Sequence, residues 1–395
     1  MNVLLITCDQ WRADCLGCAG HPLVQTPALD RLAADGVRFA NHYCQTVPCG
    51  PSRASLYCGM YQHNTRVISN SSPLAARHTN IAQELRRGGW DPILSGYTHQ
   101  TSDPSAAGAD GELALPEQSE LGGVLPGIRS INSVPGGDPG HLARSWTNWL
   151  AELGYDVPPG MKFASAGTSG AVLGGDPASF LGEGSFEHAV DADGVPVAAF
   201  YKAEHSDTAF AVNQVLDHIE NRPEGSTQWA CHLSAYKPHP PWLASAPYNA
   251  RYRPADAGLP EHRRASVAEE GSLHPWLRHR LSQKGKIAPE DDDALRLLRS
   301  QYFALCEETD AQLGRLFDSL RERGEYERTL VVFTVSAHEP LSKSKNRSLS
   351  PWVYPMRPWQ TDHGEQLGDR ECARGFSLCR AMARLKRLHC PQIGS

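Results

Sequence analysis

The sequence predicts an α/β fold built on buried parallel strands. Val3–Cys8 is an unbroken apolar run, as a strand covered on both faces requires. Gln228–Ala235 and Thr329–Thr334 read as further strands. Between them lie stretches with helical periodicity and helix punctuation, the alternation expected of strands packed under helices.

Each element has a local reason. Thr26 is placed to cap a helix that Pro27 begins and Gly36 closes, with Leu29, Leu32 and Ala33 as its buried stripe. Pro51 suits the first turn of a helix, which puts Cys49 just ahead of its N-terminus, with Gly59 as the stop. Thr79–Gly89 reads as a helix and Asp91–Ser95 as the next strand. A short helix is expected around His141–Leu153. Ser206–Asn221 is an amphipathic helix. Asp291–Gly324 is a long one, with Leu295, Leu298, Tyr302, Leu305, Thr309, Leu313, Leu316 and Leu320 at three- and four-residue steps. Residues 101–205 are rich in Gly, Pro, Ala and Asp and read as a variable lid over the site. Residues 250–293 read as a polar excursion.

The totals narrow the class. At 395 residues the chain has room for one large domain or two ordinary ones. Hydrophobic content of 40% and charged content of 21% describe a soluble globular protein. A net charge of −6 gives no general attraction to nucleic acid or acidic membranes. The N-terminal apolar run is too short for a secretory leader, and no run is long enough to span a bilayer. The 11 cysteines show no disulfide or zinc spacing and read as reduced thiols, so the expected location is cytoplasmic.

Chemistry gathers at strand ends. Asp9 follows the first strand, where ligands of open α/β sheets collect. Cys49 stands at a helix N-terminus, whose free N–H groups and positive dipole end hold oxyanions, and Arg53 lies four residues on. His99 follows the predicted strand Asp91–Ser95. Lys237-Pro238-His239-Pro240 follows Gln228–Ala235 as a stiff, basic loop. His232 reads as a core residue.

The run Cys49-Gly50-Pro51-Ser52-Arg53-Ala54-Ser55-Leu56-Tyr57-Cys58-Gly59 resembles the signature of the sulfatase family, which includes phosphonate monoester hydrolases. The resemblance implies an alkaline-phosphatase-like three-layer sandwich, with a mostly parallel central sheet between helices. It implies that Cys49 is oxidised to formylglycine by a formylglycine-generating enzyme, with Arg53 in support. It makes Asp9, residue 49, Asp362 and His363 the ligands of one divalent cation, with Mn2+ or Ca2+ first and Zn2+ as a further option. His239 and His99 become the groups that protonate the leaving alcohol. Gln10, Asn70, Tyr97 and Lys237 become substrate contacts. Asp9-Gln10 resembles the phosphonate hydrolases more than the arylsulfatases, and Tyr97 stands where the sulfatases carry lysine. A tyrosine donates without a full charge and suits an ester with less negative charge. The implied substrate is a small-molecule sulfate, phosphonate or phosphate ester. A homo-oligomer is compatible with it.

The resemblance breaks late. Asp362-His363-Gly364-Glu365 is expected directly after Thr329–Thr334, and Ser336-Ala337-His338-Glu339 mimics it only weakly. Removing Val335–Gln360 would leave an unbroken match, and its ends are compatible with an unspliced intron. A surface loop is the other reading. Residues 1–334 and 361–369 form the expected catalytic domain, 335–360 an insertion, and 370–395 a basic tail without likeness to the family. In that tail Cys372, Cys379, His389 and Cys390 have an unfamiliar spacing for a metal site. Gly375 stands where the family carries a late lysine, and the family's C-terminal subdomain is missing. The alternative function is therefore a catalytically impaired relative.

Overall fold

The computed structural model describes residues 1–40, 42–70, 72–100, 125–132, 142–157, 190–191, 193–223, 228–240, 242–260, 291–336 and 353–355, the stretches 142–144 and 353–355 as backbone. In chain order the elements are β1 (Asn2–Cys8), α1 (Pro27–Asp35), β2 (Gly36–Arg38), α2 (Cys49–Cys58), α3 (Gln62–Thr65) and α4 (Ile81–Arg87). They continue with β3 (Pro92–Ser95), β4 (Arg129–Ser130), α5 (Leu142–Glu152), α6 (Asp207–Glu220) and β5 (Ala230–Ala235). The last are α7 (Asp292–Glu322), β6 (Thr329–Val335) and β7 (Val353–Pro355).

The sheet order is β2-β7-β6-β1-β5-β3-β4. β1 is central and runs parallel to β5 on one side and β6 on the other, and β3 continues the parallel set. Among the described strands only β7, against β6 and β2, runs antiparallel. The expected α/β architecture, a mostly parallel sheet between helices, is what the chain forms.

Alternation along β1 shows why its apolar run is unbroken. Leu4 and Ile6 face a core shared with Phe210 of α6, Leu313 and Phe317 of α7, and Leu29 and Leu32 of α1. Val3 and Leu5 face a second core with Ala54 and Tyr57 of α2 and Ile81 and Leu85 of α4. Both faces exclude water, so neither parity tolerates a polar residue except where it finds a partner. Thr7 does, with its hydroxyl 3.0 Å from His232 Nε2 and 3.1 Å from Ser234 Oγ. His232 is thereby a core residue, as its sequence context suggests.

Helix ends differ from expectation in two places. Thr26 occupies the N-cap of α1, but its hydroxyl donates to Asp30 Oδ1 at 2.9 Å rather than capping. The open N–H groups of Ala28 and Leu29 donate instead to Asp310 of α7, at 2.9 and 2.8 Å. The helix α2 starts at Cys49 itself, with Pro51 inside its first turn. By contrast α4 carries a full capping box through Asn80 and Gln83.

Of the expected lid, residues 101–124, 133–141, 158–189 and 192 lie outside the described residues. The rest adds β4 at the sheet edge and α5, whose Trp146 and Leu150 join the core. The cysteines among the described residues form no disulfide with one another. No helix among them is long and apolar enough to cross a membrane.

Candidate active site

The C-terminal ends of β1, β3, β5 and β6 meet the N-terminus of α2. Asp9 emerges from β1 with its N–H bonded to the Ala235 carbonyl of β5 at 3.1 Å, and it is buried. Gln10 follows with φ +63°, a left-handed conformation that a non-glycine residue adopts only under constraint. His99 shows the same feature at the end of β3, with φ +57°. Both turns re-aim the chain where the ladder stops.

Gly96 makes the second turn possible. Its φ is +113°, and a Cβ there would lie 2.1 Å from the Ser234 carbonyl oxygen. Any side chain would push β3 away from β5. With glycine, Tyr97 and His99 are carried in over Asp9.

The Asp9 carboxylate is held from three sides. The Tyr97 hydroxyl donates to Oδ2, and Ser336 Oγ donates to Oδ1 at 3.0 Å. Arg53 Nη2 lies 3.6 Å from Oδ2. Burial alone would raise the carboxyl's pKa. Arg53, His239, the Tyr97 hydrogen bond and His99 outweigh it and hold Asp9 below the usual carboxylate range. Ser336 itself is fixed by its N–H to the Cys8 carbonyl at 3.2 Å and by Ser52 of α2, whose hydroxyl donates to its carbonyl.

Arg53 is wholly buried. Its Nη1 donates to Ser234 Oγ at 2.8 Å, to the Tyr97 carbonyl at 3.1 Å and to the Tyr57 hydroxyl at 3.3 Å. The guanidinium stacks over the Tyr97 ring, 4.4 Å from its centre.

Cys49 is half-buried at the first residue of α2, where backbone N–H groups lack helical partners. Asn70 accepts the Gly50 N–H at 2.9 Å, and its amide nitrogen lies 4.0 Å from Cys49 Sγ. Gln100 braces the same turn by donating to the Gly50 carbonyl at 2.7 Å. Cys49 Sγ, an Asp9 oxygen and an His99 ring nitrogen all lie within 4.8 Å of one another.

His99 is buried, and neither ring nitrogen has a hydrogen-bond partner. Burial first, then the charge of Arg53, pushes its pKa down to about 4. The ring is therefore neutral at physiological pH. His239 is half-buried beside Tyr236, with ring centres 4.6 Å apart, and its Nδ1–H donates to the Pro240 carbonyl at 2.8 Å.

Lys237 is buried one residue beyond Tyr236. Burial pushes its pKa down, and Asp207 of α6 and Glu308 of α7 push it back up. Glu308 accepts the N–H and hydroxyl of Ser245, both at 3.0 Å, and burial raises its pKa to about 7.

The sequence-predicted residues Asp9, Cys49, Arg53, Asn70, Tyr97 and His99 thus share one pocket. His239 acts on Asp9 through its charge. Gln10 reaches the same strand end with a buried side-chain oxygen that has no hydrogen-bond partner. Lys237 is tied electrostatically to Asp207 and Glu308. Asp362 and His363 lie outside the described residues, as do Gly375 and the tail cysteines. Sequence reading missed Ser336, Ser234, Gln100, Asp207 and Glu308.

A family model for sulfatases matches residues 1–350. The chain belongs to the sulfatase family. Among curated relatives of this sulfatase-family chain, the multifunctional alkaline phosphatase superfamily protein PehA of Trinickia caryophylli is 33% identical, over 93% of this chain and 64% of its own length. An arylsulfatase of Clostridium perfringens is 25% identical, over 87% of this chain and 64% of its own. The chain thus spans less than two thirds of either relative. The crystal structure of the phosphonate monoester hydrolase of Agrobacterium radiobacter superposes with a TM-score of 0.70 at 32% identity, covering 90% of this chain and 68% of that one. These likenesses place the fold among alkaline-phosphatase-like sandwiches.

Proposed function

We propose that this chain carries the catalytic domain of a metal-dependent hydrolase of sulfuric, phosphonic or phosphoric esters, with a nucleophile made from Cys49. One observation carries the reading. A thiol at a helix N-terminus, a buried arginine, a buried ionised carboxylate and a neutral buried histidine converge from separate strand ends on one point. The relatives named for phosphonate monoesters and aryl sulfates support the substrate class.

Oxidised to formylglycine and hydrated, residue 49 offers a geminal diol, with one hydroxyl to attack and a second to release the product. The donors present suit a cation. Asp9 accepts a hydrogen bond on each oxygen and keeps lone pairs for a metal, and His99 has both nitrogens open. Asp9 and residue 49 would hold the ion, and by resemblance Asp362 and His363 complete the set. Mn2+ or Ca2+, with Zn2+ as a further option, fits oxygen and imidazole donors. When bound, the ion supplies a Lewis acid beside the attacking oxygen and the ester's anionic oxygens.

The protein's own groups supply the rest. Arg53, fixed by three acceptors and by Asp9, sets a permanent positive charge beside residue 49. Asn70 orients the first turn of α2. His239 is the proton donor to the leaving alcohol, because His99, held neutral down to about pH 4, carries no surplus proton. Tyr97, spending its hydroxyl on Asp9, shapes the pocket with a ring rather than a charge. That favours an ester with one negative charge, a phosphonate monoester, phosphodiester or sulfate monoester, over a doubly charged phosphate monoester.

A second reading rests on Ser336. The residue after β6 that meets Asp9 is a serine and not a carboxylate, as a metal-poor, impaired relative would have it. One experiment separates the two. The full chain is co-expressed with a formylglycine-generating enzyme, and the Cys49 peptide is weighed. Turnover of an aryl sulfate and a phenyl phosphonate ester is then measured with each cation. Conversion of Cys49 with cation-dependent turnover that Cys49→Ala abolishes supports the hydrolase. Full conversion without turnover of either ester supports the impaired relative.

A further inference from the structure

Charge does not separate a sulfate monoester from a phosphonate monoester or a phosphodiester, because each carries one negative charge. Shape does. A sulfate shows only oxygens besides its leaving group, whereas phosphorus in the other two carries a substituent that stays through the reaction. We propose that an apolar rim of Val47, Tyr61 and Ile68 beside residue 49 binds that staying group, and that the preferred substrates carry an aryl or alkyl chain there. The inference rests on the hydrolase reading and narrows its substrate class.

Two segments build the rim, and they are tied at both ends. At the outer end the Thr46 hydroxyl donates to Gln62 Oε1 at 2.8 Å, and Gln62 Nε2 donates to the Val67 carbonyl at 3.2 Å. At the inner end the Gly50 N–H donates to Asn70 Oδ1 at 2.9 Å, and Asn70 Nδ2 lies 4.0 Å from Cys49 Sγ. Val47 and Ile68 fall between these ties, one on each segment, and Tyr61 adjoins Gln62. Ile68 is 74% exposed, Tyr61 61% and Val47 47%. The backbone holds them out. Val67 is buried in the second core, so the next residue faces away from it. Arg66 has a left-handed conformation, φ +58°, and its N–H donates to the Gln62 carbonyl at 2.8 Å. Ser69 and Ser72 close the following turn, with hydroxyl oxygens 3.0 Å apart. A single exposed apolar side chain needs no explanation. Apolar side chains fixed on two segments that meet at a nucleophile form a preorganised contact surface.

The polarity of the pocket decides which substituent goes there. In the displacement the attacking oxygen, the phosphorus and the leaving oxygen lie in line, and the remaining substituents fan out around that axis. The oxygen of residue 49 forms the new bond to phosphorus, the bond to the leaving oxygen breaks, and the leaving alcohol takes its proton from His239. The staying group keeps its bond throughout and needs a place of its own. Arg53 and the groups around Asp9 make the charged wall of the pocket, which suits the anionic oxygens. Beyond Asn70 the lining turns to hydrocarbon. A sulfate would have to point an oxygen at that hydrocarbon and leave it without a hydrogen-bond partner. An alkyl or aryl group on phosphorus has nothing to lose there and apolar contact to gain.

Binding is read first, without turnover. The full chain carrying Cys49→Ala is titrated calorimetrically in Mn2+ with methyl methylphosphonate and methyl phenylphosphonate, monoanions that differ only in the staying group. The expected result is about tenfold tighter binding of the phenyl compound, the effect of half burying one ring. Val47→Ser together with Ile68→Ser should bring the two affinities together. Both positions are exposed enough for serine to spare the fold, and thermal melts check this. Turnover follows in the chain with residue 49 converted, on nitrophenyl esters of methylphosphonate, phenylphosphonate and sulfate. The double variant should lower kcat/KM for the phenylphosphonate ester about tenfold relative to the sulfate ester. Equal affinity for the two methyl esters, a phenyl preference that survives in the folded double variant, or an equal loss on the sulfate ester overturns the proposal. If the double variant fails to fold, Ile68→Ser alone decides. A phenyl preference that the rim variants remove, in a chain that turns over no ester, supports the rim and sinks the hydrolase reading alone.

Discussion

Arg53 and Lys237 are both cations buried where the strands end, yet the protein holds them in opposite ways. Arg53 is surrounded by hydroxyls and a carbonyl, and its nearest carboxylate is Asp9, inside the pocket. Lys237 is balanced from behind by Asp207 and Glu308, which belong to the helices covering the sheet. A guanidinium keeps its charge at any physiological pH, whereas a buried ammonium does not. One wall of the pocket is therefore indifferent to pH. The other depends on two carboxyls whose pKa values burial raises, that of Glu308 to about 7.

The largest effect should come from breaking the Arg53 side. Arg53→Ala leaves Asp9 buried and charged without its cation, and removing one partner of such a pair costs about 3–5 kcal/mol. Arg53→Lys should not restore it, because an ammonium cannot serve Ser234, Tyr97 and Tyr57 in the same plane. Denaturant unfolding measures both variants. A loss below about 1 kcal/mol in Arg53→Ala would mean that Tyr97 and Ser336 alone hold the Asp9 carboxylate. The next effect sharpens that point. Ser336→Ala removes the donor to Asp9 Oδ1 and should weaken binding of Mn2+ or Ca2+ by roughly 10–100-fold, with Ser336→Thr restoring it. Calorimetric titration of the full chain reads this directly, and equal affinities would make Ser336 a bystander.

The two walls were not equally legible in the sequence. Asp9, Cys49, Arg53 and His99 could be read because each sits at a strand end or helix start marked by its own neighbours. Gly96 and Pro51 are local signals, and so is the apolar run of β1. Ser336 was hidden for a different reason. Read along the chain, it lies inside an insertion and begins only a weak mimic of the expected ligands; read across the sheet, it follows Val335, which pairs with Cys8 and so stands beside Asp9. Only the register between β1 and β6 reveals that, and register is a long-range property. Asp207 and Glu308 were hidden by sound habit, because acids on helices are usually solvated. The cap of α1 by Asp310 has the same character: Thr26 satisfies the local rule, and a carboxylate from a distant helix does the work.

The smallest effect is a slope, and it tests the Lys237 wall. Folded Glu308 keeps its proton up to about 7, while its ordinary pKa is 4.5. Between those values the folded chain binds more protons than the unfolded one, so this group's contribution to stability falls as the pH rises through that window. Glu308→Gln has nothing to titrate and should flatten that part of the curve, measured as unfolding free energy at about pH 5 and about pH 8. The same substitution acts on Lys237 with the opposite sense. Ionised Glu308 raises the ammonium's pKa, so its loss lets burial push that pKa further down. If charged Lys237 steadies the ester anion, the alkaline limb of the pH–rate profile moves to lower pH in Glu308→Gln, and in Asp207→Asn as well. The Arg53 wall contributes nothing to that limb, because its charge does not change there. A limb that stays in place while the stability slope flattens would mean that Lys237 neutralises the helices behind it and leaves the substrate to Arg53.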